Sequence, residues 1–145
     1  MAKILEHGNP ALRETAKEVP LGEIGGKKIK KIIADMKAAL AKEDDGIAIA
    51  APQIGALFRI FVVSGKAFAL DKDLEIDEKS ANDKKKYPDV AFINPKLVKL
   101  SKREPWQVEG CLSVRWLYGK VKRAEKATLE ACDEHGEKIT RGASG

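Results

Sequence analysis

Glu109-Gly110-Cys111-Leu112-Ser113 sets a cysteine between a glycine and a hydroxyl-bearing stretch, with a carboxylate two positions earlier. A thiol in such company can be a core residue at a strand end. Ionised, it can be a nucleophile or a soft metal ligand. Gly110 has no Cβ, so a substrate or a metal could approach the main chain there. A second stretch, Gly46-Ile47-Ala48-Ile49-Ala50-Ala51-Pro52-Gln53, is small and apolar and ends on a neutral amide. The Gln53 amide could donate to an oxygen that gains charge, or simply cap the end of an apolar loop. Cys132 and His135 have a Cys-x-x-His spacing and could join Cys111 in a three-ligand zinc site; the plainer reading is a strand cysteine and a turn histidine. His7 and His135 are the only histidines, and neither has a second histidine four residues away.

These residues need elements to position them. Ile29, Ile32, Ile33, Met36 and Leu40 recur at helical spacing, with Lys28, Lys31, Asp35 and Lys42 opposite, which predicts an amphipathic helix over residues 27–42 ending near Asp45-Gly46. Asn9-Pro10 would cap a shorter, polar helix over residues 11–18. Arg59 to Ser64 reads as a buried strand. Further strands are expected at 90–94, continued at 97–100, and at 107–114, 119–123 and 127–132. The last turns at Asp133-Glu134-His135-Gly136 into 137–140, and 142–145 reads as a loop. Residues 71–86 are densely charged and read as a surface loop. One helix beside antiparallel strands is an α+β arrangement, and 145 residues suit a single domain, residues 1–145.

Hydrophobic residues at 43% and charged residues at 34% fit a globular chain with a real core. No apolar run approaches the roughly 20 residues of a membrane helix, and the first residues do not resemble a signal peptide, so no membrane partner and a cytoplasmic location are expected. The net charge of +5 comes from lysines spread along the chain. It could draw the protein to a ribosome surface, or be a solvated face only; no DNA- or RNA-binding pattern accompanies it.

Taken together, the two motifs resemble the first two signatures of the peptide deformylase family: a glycine-rich apolar loop ending in Ala-Ala-x-Gln, and Glu-Gly-Cys-Leu-Ser. Asn9-Pro10-x-Leu12-Arg13, Asn94-Pro95, Tyr118-Gly119-x-Val121-x-Arg123 and the Asp133 to Gly136 turn occur in the family's order, so the resemblance covers essentially the whole chain. It implies a deformylase-like fold, antiparallel sheets around a helix. It also implies a hydrolase that removes the formyl group from the N-terminal methionine of new proteins, acting on N-formylmethionyl peptides. Members hold a divalent metal, usually Fe2+, with Zn2+ or Ni2+ as alternatives, on one cysteine and two histidines.

By that resemblance Cys111 is the metal ligand, and the Gln53 amide and the Leu112 backbone N–H are the oxyanion donors. Gly46, Ile47, Ala48 and Ile49 line a cleft that pairs with an extended peptide. Gly110 belongs to the same site, and Glu109 is a rim residue that fixes the cysteine strand. The family's third signature, a His-Glu-x-x-His helix, has no counterpart here, so the resemblance implies a chain that stops before that helix and that alone has little or no activity. Ala48 stands where a glycine is usual, and its methyl could crowd a substrate or force a φ that alanine resists. Arg115 stands where proline is common. Two other readings remain open: a metal-free, deformylase-like peptide-binding module, and a basic protein acting on the ribosome.

Overall fold

The structure, a computed structural model, describes residues 3–44, 46–69 and 88–144. The charged stretch 71–86 lies outside the described residues. Helix α1 (Lys27–Ala41) buries Ile29, Ile33, Met36, Ala39 and Leu40, one stripe at helical spacing. It ends a few residues earlier than expected, because the chain turns through the Glu43 N–H to Leu40 C=O and Gly46 N–H to Glu43 C=O bonds. Strands β1 (Ala48–Ala50), β2 (Ile60–Val63), β3 (Val90–Leu100), β6 (Lys126–Cys132) and β7 (Lys138–Ser144) form one antiparallel sheet in the order β1-β2-β3-β6-β7. A short helix, α2 (Gly65–Ala69), follows β2. Strands β4 (Trp106–Cys111) and β5 (Val114–Lys122) form a separate hairpin.

The core lies between α1 and the β1-β2-β3 part of the sheet, where Met36, Ile49, Val62 and Ile93 are sealed from solvent. Phe61 and Phe92, partners across β2 and β3, stack with centroids 4.8 Å apart. The α+β class expected from the sequence is what the chain adopts.

The strand expected at 107–114 ends at Cys111, and β5 begins at Val114 and not at 119, because the chain reverses at Leu112-Ser113. Three further elements differ from the sequence reading. Residues 11–18 do not form a helix: Asn9 caps only a 3-10 turn at Pro10–Leu12, accepting from the Ala11 N–H. Lys17 then pairs with residues 57–59, donating to the Leu57 carbonyl and accepting from the Arg59 N–H, so long-range pairing overrides a weak local propensity. At the other end, Gly142 and Ala143 are not loop. They continue β7 opposite Thr128 and Ala127, because β6 supplies a complete edge for them to pair with.

The third difference is β3, a single strand through Asn94-Pro95 with a bulge between Ile93 and Lys96. Asn94 has φ +52°, the only non-glycine with positive φ among the described residues. Its side chain accepts from the Val19 N–H at 2.7 Å and donates to the Val19 carbonyl at 2.9 Å. This closed pair ties the N-terminal segment to the central strand at a residue only 1% exposed.

Candidate active site

Two local structures build the site. The first begins as β1, the edge strand of the large sheet, and passes into a 3-10 turn at Ala51–Ile54. Gly55, at φ +83°, closes that turn with its N–H on the Pro52 carbonyl, a conformation that favours glycine. The second is the tip of the β4-β5 hairpin. Gly110 faces Tyr118 and Cys111 faces Val114, so three extra residues on β5 form a bulge at the end of the ladder and Leu112-Ser113 make the turn.

An N-terminal strap joins the two. The Leu5 N–H donates to the Gln53 carbonyl at 2.6 Å, and the His7 N–H donates to the Ser113 carbonyl at 2.7 Å. Two N–H groups two residues apart, the second at the start of the Glu6–Asn9 turn, thus tie both motifs to one segment. The strap leaves no signature in the sequence, since no periodicity encodes which distant carbonyls two N–H groups will find.

Between these parts lies a cleft of about 830 Å³ lined by Gly46, Ile47, Ala48, Gln53, Glu109 to Leu112 and the hairpin side chains Val108, Leu117 and Tyr118. Cys111 is exposed there. The Gln53 Nε2 lies 3.8 Å from the Cys111 sulfur and donates to Ser113 Oγ at 3.1 Å. Gln53 Oε1 accepts from the Ala50 N–H at 2.9 Å. A backbone N–H can only donate, so that bond fixes the amide's orientation, with nitrogen toward the thiol. Leu112 is partly buried against the core, which anchors the turn that carries its N–H.

Ile49 departs from its expected place. Its side chain is 1% exposed and packs in the core, not in the cleft. Side chains alternate along β1, so Ala48 takes the open side and Ile49 the inner one, while Ile47 just before the strand is 55% exposed. Ala48 has no positive φ, so its methyl carries no backbone strain and simply projects at the cleft.

Gly110 also has a different explanation. A Cβ there would lie 2.8 Å and 2.9 Å from two ring carbons of Tyr118. The Tyr118 ring across the hairpin lies where a side chain would go, while Gly110 itself lines the cleft. Glu109 makes a forked pair with Arg123, with Arg123 Nε 3.0 Å and Nη2 3.1 Å from its two carboxylate oxygens. Its hydrogen bonds to the Glu109 carboxylate, and that carboxylate's charge, raise the Arg123 pKa above its ordinary value. The fork latches the hairpin near its base, although a pair this exposed adds little stability.

Cys132 is partly buried against the core and His135 is exposed in the turn, where its N–H donates to Asp133 Oδ1. Neither lines the cleft that holds Cys111. Among the described residues no three His, Cys, Asp or Glu side chains converge on a point that could hold a metal. The cleft therefore offers one thiol, a single soft ligand, and does not by itself make a metal centre.

The polypeptide deformylase family model matches residues 1–145, and the chain belongs to this family. It is 34% identical over 145 residues to peptide deformylase 1A, chloroplastic, of Solanum lycopersicum, covering all of this chain and 52% of that protein. It is 38% identical over 123 residues to peptide deformylase 2 of Clostridium acetobutylicum, covering 85% of this chain and 68% of that one. The chain thus spans about half the length of the tomato relative it matches. Among solved structures, a peptide deformylase from Legionella pneumophila superposes with a TM-score of 0.79 at 30% identity, covering 100% of this chain and 73% of that one. A Synechococcus elongatus peptide deformylase in complex with actinonin superposes at 0.76 and 27% identity, covering 99% and 66%. No helix among the described residues is long and apolar enough to cross a membrane.

Proposed function

We propose that this chain carries the peptide-holding and carbonyl-polarising part of an enzyme that removes the formyl group from N-formylmethionyl peptides. One observation carries the reading: the Gln53 amide nitrogen, the exposed Cys111 thiol and the free edge of β1 meet in one cleft. The Ser64 N–H donates to the Ile47 carbonyl, so Ile47 faces β2. Alternation along an antiparallel pair then turns the N–H and C=O of Ala48 outward, to the open edge. An extended peptide adds there as a further strand. Its formyl oxygen accepts from Gln53 Nε2 and the Leu112 N–H, two donors aimed where negative charge develops on hydrolysis.

Cys111 serves as one ligand to a divalent metal, Fe2+ by family resemblance, with the other ligands supplied from outside these 145 residues. In a hydrolase such a metal contributes an activated water. The proposed setting is the cytoplasm, close to the ribosome, where the net charge of +5 favours approach to an anionic surface.

The strand-pairing part can be tested on the ligand. Formyl-Met-Ala-Ser should bind the chain more tightly than the same peptide methylated on its alanine nitrogen, by up to about tenfold, one hydrogen bond's worth. Calorimetry giving equal affinities for the two would remove the edge of β1 from the proposal.

A further inference from the structure

Ser113 is the one buried polar side chain at this site that the functional reading leaves without a task. It is 4% exposed, and its Oγ accepts from Gln53 Nε2 at 3.1 Å. Its backbone carbonyl is itself fixed by the His7 N–H at 2.7 Å, as the Gln53 carbonyl is by the Leu5 N–H at 2.6 Å. We propose that Ser113 is a positioning residue that clamps the Gln53 side chain, so that the amide's second N–H points into the cleft beside Cys111. The proposal deepens the reading above and rests on it for its functional meaning.

The physical argument is one of counting. An amide side chain has two donors and one acceptor oxygen. The oxygen is taken by the Ala50 N–H at 2.9 Å. One donor is taken by Ser113 Oγ, which leaves one N–H, on the side where the Cys111 sulfur lies 3.8 Å away. A thiol at that distance is a weak acceptor, so this last N–H remains available to a carbonyl oxygen entering the cleft. Held at both ends, the amide cannot flip or change rotamer without breaking a bond at a partly buried site. Its donor is then preorganised and not recruited after substrate arrives. The strap strengthens the clamp, because the Leu5 and His7 N–H groups fix the backbones of both partners against one segment.

Nuclear magnetic resonance on the 145-residue chain tests this directly. In the wild-type protein the two Gln53 side-chain amide protons should be widely separated in shift and exchange at least tenfold more slowly than those of Gln107, with a through-space contact to the Ser113 β-protons. Ser113→Ala should collapse the separation and the protection while the backbone spectrum stays folded. Ser113→Thr, which keeps the hydroxyl, should restore both. On titration with formyl-Met-Ala-Ser, the unclamped proton should move in the wild type and in Ser113→Thr but not in Ser113→Ala. A wild-type Gln53 amide that exchanges as freely as Gln107 would overturn the clamp, as would a Ser113→Ala spectrum in which the Gln53 signals are unchanged. A clamped amide whose signals ignore the formyl peptide would count against the deformylase reading and leave the clamp standing.

Discussion

Replacing Asn94 by alanine should destabilise the protein by about 3–4 kcal/mol, a large part of the 5–15 kcal/mol that a domain of this kind has in total. Two losses add. The side chain's bonds to the N–H and carbonyl of Val19 vanish, and both groups are left at a position almost sealed from water. Each such orphan costs about 1–3 kcal/mol. Alanine must also hold φ near +52°, where asparagine is tolerated and alanine costs about 1 kcal/mol more. Chemical denaturation of Asn94→Ala and Asn94→Gly separates the terms, since glycine relieves the backbone penalty alone. Glycine should recover about 1 kcal/mol and no more. Full recovery with glycine would show that the bonds to Val19 contribute nothing.

The second large effect concerns chemistry. Consider a fusion of residues 1–145 to a segment bearing the His-Glu-x-x-His helix that the family resemblance implies. In that fusion Gln53→Ala should lower kcat by about 10²–10³, the usual loss when one oxyanion donor is removed, with a much smaller change in KM. Gln53→Glu should do no better, because a carboxylate at the same place accepts where the amide donates and repels a developing negative charge. Steady-state kinetics on formyl-Met-Ala-Ser gives both numbers. A Gln53→Ala fusion that keeps its kcat would strike Gln53 from the site.

Much of the framework is legible in the sequence. Ile29, Ile33, Met36 and Leu40 declare their helix because burial on a core repeats with the helical period. The strands at 60–63 and 126–132 declare themselves by apolar content between turn residues. The convergence of Gln53 with Cys111 was inferred from two motifs together, since neither was decisive alone. What escaped was long-range and not periodic. Lys17 pairs with residues 57–59, and the Asn94 amide closes on Val19, across separations that no local pattern records. An asparagine just before a proline at the end of an apolar run was the available signal for a positive-φ clamp. Gly142 and Ala143 look like loop residues by composition, yet they sit opposite Thr128 and Ala127, where a paired edge outweighs propensity. Apolar content alone puts Ile49 in the cleft beside Ile47; the alternation of β1, visible once Ala48 is put outward, sends it to the core.

Ser113 shows a different limit. It stood inside the cysteine motif from the start, but nothing in the sequence says that its hydroxyl meets Gln53, sixty residues away in the chain. The strap at Leu5 and His7 binds both the hairpin tip and the 3-10 turn, alongside the Gln53–Ser113 bond and the packing of Leu112 on the core.

Turnover by the fusion measures most directly whether this cleft is part of a hydrolytic centre. Release of formate from formyl-Met-Ala-Ser should be readily measured for the folded, Fe2+-loaded fusion and near background for residues 1–145 under the same conditions. A folded fusion that takes up one metal, binds the peptide and releases no formate would contradict the account, and would leave a peptide-binding module in its place.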